Sequence, residues 1–308
     1  MPQRINLSIL WGGDKRLVAY VVANPNYEGN SEKESQEIQE QWQELWNLAY
    51  SQNAEGADPT FNINGWNESY SGAAIPAVEM REWVDGTTER ILSCQPQRVL
   101  EIGCGTGMFL FRVAPHCESY WGIDLAPEAL RYIESQFPAL PGDWSGVKLL
   151  QGSADTAFDA IEEPELDTLI INSVVRLFPG IDYLVEVIER AATTLKPGGT
   201  IFIGDVRSLP LLSAFHGSVQ LHQAPLSLTK EQLKQRIEKA TIQEGQMAID
   251  PDFFLALQEY LPQISHVQIQ IRRGRYHNEM SKFRYDAILH VGKEMQSPVE
   301  PSGLTQLK

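Results

Sequence analysis

The chain has 308 residues and a formal net charge of −15, with 43% hydrophobic and 21% charged residues, a balance typical of soluble globular proteins with room for a sizeable core. No run approaches the roughly 20 apolar residues that a membrane-spanning helix needs, and the N-terminus lacks the basic-then-apolar pattern of a secretory signal, so a cytoplasmic protein with no membrane partner is expected. So acidic a surface repels a polyphosphate backbone, and Arg272-Arg273-Gly274-Arg275 is its one basic cluster; nucleic acid is not an expected partner.

In chain order, residues 15–22 are β-rich and follow a Gly12-Gly13-Asp14 turn, and 24–34 form a polar linker. Over 35–50, Ile38, Trp42, Leu45, Trp46 and Ala49 recur at helical spacing. Residues 61–72 mix aromatic, polar and glycine residues without a period, which suits either a surface loop with aromatic anchors or a lid over a site. A second helix, with Met80, Trp83, Val84 and Ile91 on one side, spans 75–94. It leads to Val99-Leu100-Glu101-Ile102-Gly103-Cys104-Gly105-Thr106-Gly107, where a buried strand turns directly into a helix opening near Met108. Glycines there let a ligand approach the backbone, and the helix start offers unpaired N–H groups. A dinucleotide fingerprint places its third glycine one residue later, at the position of Met108.

Strands are then expected over 119–124, from 147, over 166–173 and over 200–205, alternating with helices at 127–137 and 181–195. This rhythm argues for a parallel, doubly wound sheet, whose ligands bind beyond the carboxyl ends of the strands. Glu101, Asp124, Asp155, Asn172 and Asp205 all fall at that edge, although each taken singly could equally be a helix cap. Between 206 and 262 helices take over: 209–223, a second from a Thr229/Gln232 capping box to 241, and a third from Asp250-Pro251 to 260. Strands over 264–271 and 283–291 form a hairpin; if the first of them runs parallel to the others, its connection, with Tyr276, His277 and Glu279, emerges at the acidic edge. The last sixteen residues read as a tail. Cys94, Cys104 and Cys117 have neither metal-ligand nor redox spacing, so no metal is expected and the thiols are read as reduced and structural.

The glycine turn resembles the first motif of class I S-adenosylmethionine-dependent methyltransferases, and the order of elements over about 60–292 resembles that fold. Longer strings resemble the methyltransferase domains embedded in nonribosomal peptide synthetases. These are Gly65-Trp66-Asn67 through Tyr70, Ile75-Pro76 with Glu79-Met80 and Glu82-Trp83, Gly204 through Pro210, Ala214-Phe215-His216, and Asn278-Glu279 followed by Phe283-Arg284-Tyr285. Residues 13–22 resemble the adenylation-domain segment after which such domains are inserted. The resemblance implies an α/β, Rossmann-like, doubly wound and mostly parallel seven-stranded sheet, with a helical N-terminal part and an inserted lid. The parts it implies are a leading strand (1–23), a linker and N-terminal lid (24–95), a cofactor-binding core (96–206), a helical insert (207–262), a C-terminal hairpin (263–292) and a tail (293–308).

For the cofactor S-adenosyl-L-methionine, which leaves as S-adenosyl-L-homocysteine, the resemblance implies the following roles. Gly103, Gly105 and Gly107 pass under the methionine moiety, and Glu101 orders the groups around its ammonium. Asp124, with Leu125 beside it, holds the ribose; Ala154 and Asp155 read the adenine edge; and Asn172 with Ser173 lies near the sulfonium. An amine nucleophile must shed a proton, and the candidates to assist are Glu279 and Asp205, then His216 and His277, with Tyr70 and Tyr276 as orienting groups. His216 reads equally as an ordinary helix histidine. The expected activity is N-methylation of a small amino-acid-, peptide- or alkaloid-derived acceptor, by a freestanding tailoring enzyme or on a carrier-tethered substrate. O- or C-methylation, or a catalytically silent interaction module, are the alternatives.

Overall fold

A computed structural model describes residues 31–50, 58–161 and 165–292, the side chains of 31–39 and 49 excepted. The expected strand over 15–22 and the tail over 293–308 lie outside the described residues. The chain divides into two compact units, 1–37 and 38–308. Of the first, only the opening of one helix is described; it starts at Ser31, so the last residues of the expected linker are already helical.

The second unit is built on seven strands: β1 (Arg98–Ile102), β2 (Ser119–Asp124), β3 (Val147–Gln151), β4 (Thr168–Asn172), β5 (Thr200–Arg207), β6 (Ile264–Ile271) and β7 (Arg284–Val291). They lie in the order β3-β2-β1-β4-β5-β7-β6. The first five pair in parallel, and β7 runs antiparallel to both β5 and β6. Strand order therefore reverses between β1 and β4, which opens a crevice at their carboxyl ends. β6 points the same way as the parallel set, so its connection to β7 does emerge at that edge.

Every residue of β4 is buried, as expected for a central strand covered on both faces. Alternation along β1 divides the core. Leu100 and Ile102 face the side holding α5 (Ile181–Thr194) and α8 (Pro251–Tyr260), while Val99 faces the side holding α2 (Ala77–Ser93), α3 (Leu110–Val113) and α4 (Pro127–Gln136). Pro127 and Pro251 sit at the first helical positions expected for them, and the Asp250 side chain accepts the Asp252 N–H.

Between β5 and β6, α6 (Leu212–His222), α7 (Lys230–Ile242) and α8 follow the expected order. The Thr229/Gln232 capping box forms reciprocally. Two details depart from the sequence reading. β5 continues two residues beyond Asp205, which sits in a break of register against β7 between Ile203 and Val206. The β6–β7 connection also carries a short helix, α9 (Glu279–Lys282), capped by Asn278, with Glu279 and Met280 buried.

Candidate active site

The glycine turn after β1 closes as its residue types require. Gly103, Gly105 and Gly107 all have positive φ (73°, 53° and 83°), a region that side-chain-bearing residues rarely enter. A Cβ at Gly103 would overlap Val174. The turn is anchored to the end of β2, because the Asp124 carboxylate accepts the Gly105 N–H (2.8 Å); it also accepts the Ala126 N–H (2.9 Å). Burial raises the Asp124 pKa, and these backbone donors pull against it.

A cavity of about 1040 Å³, open mouth included, lies over this turn. It brings together seven of the residues singled out from the sequence: Gly103, Gly105, Asp124, Leu125, Ala154, Asn172 and Ser173. Three others are not among its lining residues. Glu101 points to the opposite face of β1, where it is buried and accepts the Tyr120 hydroxyl (2.8 Å). Strand alternation sends Ile102, not Glu101, to the cavity, so the Glu101 side chain does not reach a ligand there. Burial pushes its pKa up to about 7. Gly107 packs against Phe111 and Ile133. Asp155 receives the Tyr183 hydroxyl (2.7 Å), and Tyr183 lines the cavity in its place.

Sequence reasoning placed an N-terminal lid over 24–95 but named no residue of α1 as part of the site. Helix α1 (Ser31–Tyr50) contributes Trp42, Trp46 and Tyr50 to the cavity lining. Trp46 stacks on Tyr50 with centroids 5.3 Å apart, and the Tyr50 hydroxyl sits 3.3 Å from where a Cβ on Gly105 would be. The i, i+4 spacing of these aromatics was visible, but the expected stripe included Leu45, which is 52% exposed. Trp66 from the 61–72 loop and Trp83 from α2 also line the cavity and pack at 4.8 Å. The loop is thus attached to the site.

The predicted catalytic residues separate into three places. Asp205 lies behind the cavity wall, buried. It accepts Ser173 Oγ (2.6 Å), Trp83 Nε1 (3.2 Å) and Arg284 Nη1 (2.5 Å), with Arg272 Nε at 3.6 Å. Burial works to raise its pKa, but Arg284 and Arg272 outweigh it and hold the carboxyl below the usual range. Such a carboxylate is a poor proton acceptor; it can hold Ser173 and Trp83 in place. Ser173 and Asp205 share a further mark: both have φ of 61°, unusual for non-glycine residues and often found at functional sites.

Glu279 occupies a second place. Its carboxylate accepts the Ser69 N–H (2.8 Å), Ser69 Oγ (3.1 Å) and Arg284 Nη2 (3.0 Å). With Tyr70, Tyr276 and His277 it lines a second cleft, and the Tyr70 hydroxyl bonds Ser218 Oγ (2.9 Å). Arg284 therefore links Asp205, behind the first cavity, to Glu279 at the second. The same ion network takes in Arg272, whose Nη2 donates to Asp286 (2.6 Å); this arginine of the expected basic cluster is internal. His216 is in neither cavity. Its Nε2 lies 3.3 Å from Glu244, beside the Arg207–Glu244 pair, because α6 turns that face toward the 243–249 segment. It is not placed to act on a ligand, in agreement with its reading as an ordinary helix histidine.

The residues present fit a nucleoside bearing a sulfonium. A glycine floor admits a close backbone approach, and a buried carboxylate beside it retains acceptor capacity for hydroxyls. Asn172 lines the cavity, its side-chain Oδ1 buried against Gly204 and, among the described residues, without a hydrogen-bond partner. Aromatic faces from α1 and the loop suit a cationic centre. Among the described residues, no group of three His, Cys, Asp or Glu side chains is placed to hold a metal ion.

Known proteins agree with this geometry. Residues 100–201 match the methyltransferase domain family. The chain is 46% identical over 278 residues to chondramide synthase of Chondromyces crocatus, which covers 90% of this chain and 7% of that protein. It is 33% identical over 288 residues to the nonribosomal peptide synthetase agiA of Aspergillus flavus, covering 91% of this chain and 4% of that one. It thus spans less than a tenth of either relative. Among solved structures, the N-methyltransferase NodS from Bradyrhizobium japonicum WM9, in complex with S-adenosyl-l-homocysteine, shares the fold. The TM-score is 0.51 at 16% identity, covering 80% of this chain and 99% of that one. The glycine cradle, the strand order and these relatives together place the chain among the class I S-adenosylmethionine-dependent methyltransferases, in kinship with the methyltransferase domains of nonribosomal peptide synthetases.

Proposed function

We propose that this methyltransferase transfers the methyl group to an amine nitrogen of a small amino-acid-, peptide- or alkaloid-derived acceptor. The observation that carries this reading is the second cleft, whose lining includes Glu68, Glu79 and Glu279 and one lysine, Lys282. A cleft of that charge favours a protonated amine. Buried Glu279, fixed by Ser69 and Arg284, is suited to hold the ammonium and to take its proton as the nitrogen becomes nucleophilic. The kinship with peptide synthetases supports an amino-acid-derived acceptor, free or carrier-bound.

When bound, S-adenosylmethionine supplies a methyl group already activated on a positively charged sulfur. Gly103 and Gly105 would lie under its methionine part, and Asp124 would accept from its ribose hydroxyls. Ala154, with Tyr183 behind it, would face the adenine, and Asn172 with Ser173 would border the reacting end. What remains for the protein is orientation and proton removal. Asp205 contributes to orientation by fixing Ser173 and Trp83, and Tyr70 by shaping the cleft wall. The acidic surface favours small molecules over nucleic acid, and a cytoplasmic location is part of the same proposal.

The test is product analysis. The protein is incubated with methyl-labelled S-adenosylmethionine and a panel of α-amino acids, their N-acetylcysteamine thioesters and small amines, and the label is located by fragmentation mass spectrometry. Label on nitrogen is expected, with kcat lowered about 100-fold in Glu279→Gln; label on oxygen or carbon would overturn the proposal.

A further inference from the structure

The turn after β4 carries Arg176, a half-buried residue that lines the cavity over the glycine turn. Its main chain is pinned, since its carbonyl accepts the Met247 N–H (3.1 Å). Its guanidinium is held by two neutral acceptors, the Ser173 carbonyl (Nε, 3.3 Å) and Gln246 Oε1 (Nη1, 3.2 Å). Among the described residues, no carboxylate lies within ion-pair distance of it. The neighbouring arginines differ: Arg207 pairs with Glu244, Arg272 with Asp286, and Arg284 with Asp205 and Glu279. Burial, together with the positive charges of Arg284 and Arg207, lowers its pKa to about 10, so it is still cationic at neutral pH. An arginine has five N–H donors in a planar fork that matches a carboxylate. Here a cation has been taken partly out of water without its own counter-ion, at the edge of a ligand cavity. That arrangement is costly unless the ligand completes it.

We propose that Arg176 is an anion-binding group of this cavity and that its ligand is a carboxylate, carried by the methyl donor or by the acceptor. Arg176 can receive the acid group of an amino-acid-like ligand at this cavity. Arg176 lies within the electrostatic reach of Asp205 and Glu279, toward the side of the cavity where the acceptor is proposed to lie. A free amino acid offers this group a carboxylate that an amide or a thioester does not.

The proposal rests on the methyl-transfer reading for the choice of probes, but it is tested by binding without turnover, so a product methylated on oxygen or carbon would not touch it. Wild type, Arg176→Gln and Arg176→Lys are titrated calorimetrically with S-adenosylhomocysteine and with 5′-methylthioadenosine, which lacks the amino-acid portion. Each protein saturated with S-adenosylhomocysteine is then titrated with the twenty α-amino acids and their amides. If the carboxylate is the donor's, Arg176→Gln binds S-adenosylhomocysteine about 10- to 100-fold more weakly and 5′-methylthioadenosine unchanged. If it is the acceptor's, S-adenosylhomocysteine binds unchanged, while an α-amino acid, but not its amide, binds more weakly by a similar factor. Arg176→Lys, which keeps the charge but loses the fork, recovers part of the affinity in either case. Equal affinities of wild type and Arg176→Gln for S-adenosylhomocysteine and for every amino acid offered would overturn the proposal. Binding of 5′-methylthioadenosine serves as the check that each variant is folded.

Discussion

Two buried acids show how the same residue type takes opposite roles. Glu101 and Asp205 both lie near the carboxyl ends of central strands and both are inaccessible. Among the described residues Glu101 has only the Tyr120 hydroxyl for support, and burial raises its pKa to about 7. Because the folded-state value lies above the unfolded one, the folded protein binds more protons between about pH 4.5 and 7. Stability from this group is therefore complete below the unfolded pKa and is lost as the pH rises through the folded one. Glu101→Gln removes the dependence. Its melting temperature is expected to gain on wild type by several degrees between pH 5 and pH 8, a difference on the order of 1–3 kcal/mol. A constant offset across that range would contradict the assignment.

Asp205 has the opposite sign, since Arg284 and Arg272 hold its pKa down despite burial. Its stabilisation is present above the unfolded pKa and is lost as the pH falls through the folded value. Asp205→Asn leaves two buried guanidinium groups short of charge, and denaturant unfolding is expected to show a loss of about 3–5 kcal/mol. Loss of only a few tenths would mean that the other acids carry the network.

At the scale of elements, most of the sheet could be read from the sequence. The strands from β1 to β4 are short runs rich in apolar residues with a polar residue at or next to their carboxyl ends, and the 3.6-residue rhythm between them is strong. Tertiary context decided the rest. A break of register against β7, which no local pattern announces, lets β5 run past Asp205 and turns that carboxylate into the ion network. Helix α1 was recognised as a helix, but its partner was not. Its aromatics at 42, 46 and 50 cover the cavity instead of joining the core, and only a fold that brings α1 over the glycine turn could reveal this. Trp46→Ala removes a stacked ring from that roof. Affinity for S-adenosylhomocysteine is expected to fall about 10-fold with the melting temperature nearly unchanged. A drop in melting temperature without loss of affinity would instead make α1 a packing element.

On the scale of the whole molecule, the ligand region has two parts joined by charge. The cavity over the glycine turn sits where strand order reverses, between β1 and β4. The acidic cleft forms where the β6–β7 connection, the 61–72 loop and α6 meet. The sequence pointed to both edges because glycines and strand-end acids mark the first, and Glu279 marks the second. It could not show that Arg284 connects them, or that Glu101 faces away from both, since each depends on which side of a strand a residue occupies once neighbouring strands are in register. Nor could it show which way α6 turns His216, for the same reason at the level of a helix face.

The central claim is that Asp124 and the glycine turn hold the methyl donor in the cavity over that turn. Calorimetric titration of wild type and Asp124→Ala with S-adenosylhomocysteine tests it most directly. One-to-one binding is expected for the wild type, with affinity about 10- to 100-fold lower in the variant and its far-UV circular dichroism unchanged. Equal affinity in the two proteins would contradict the claim.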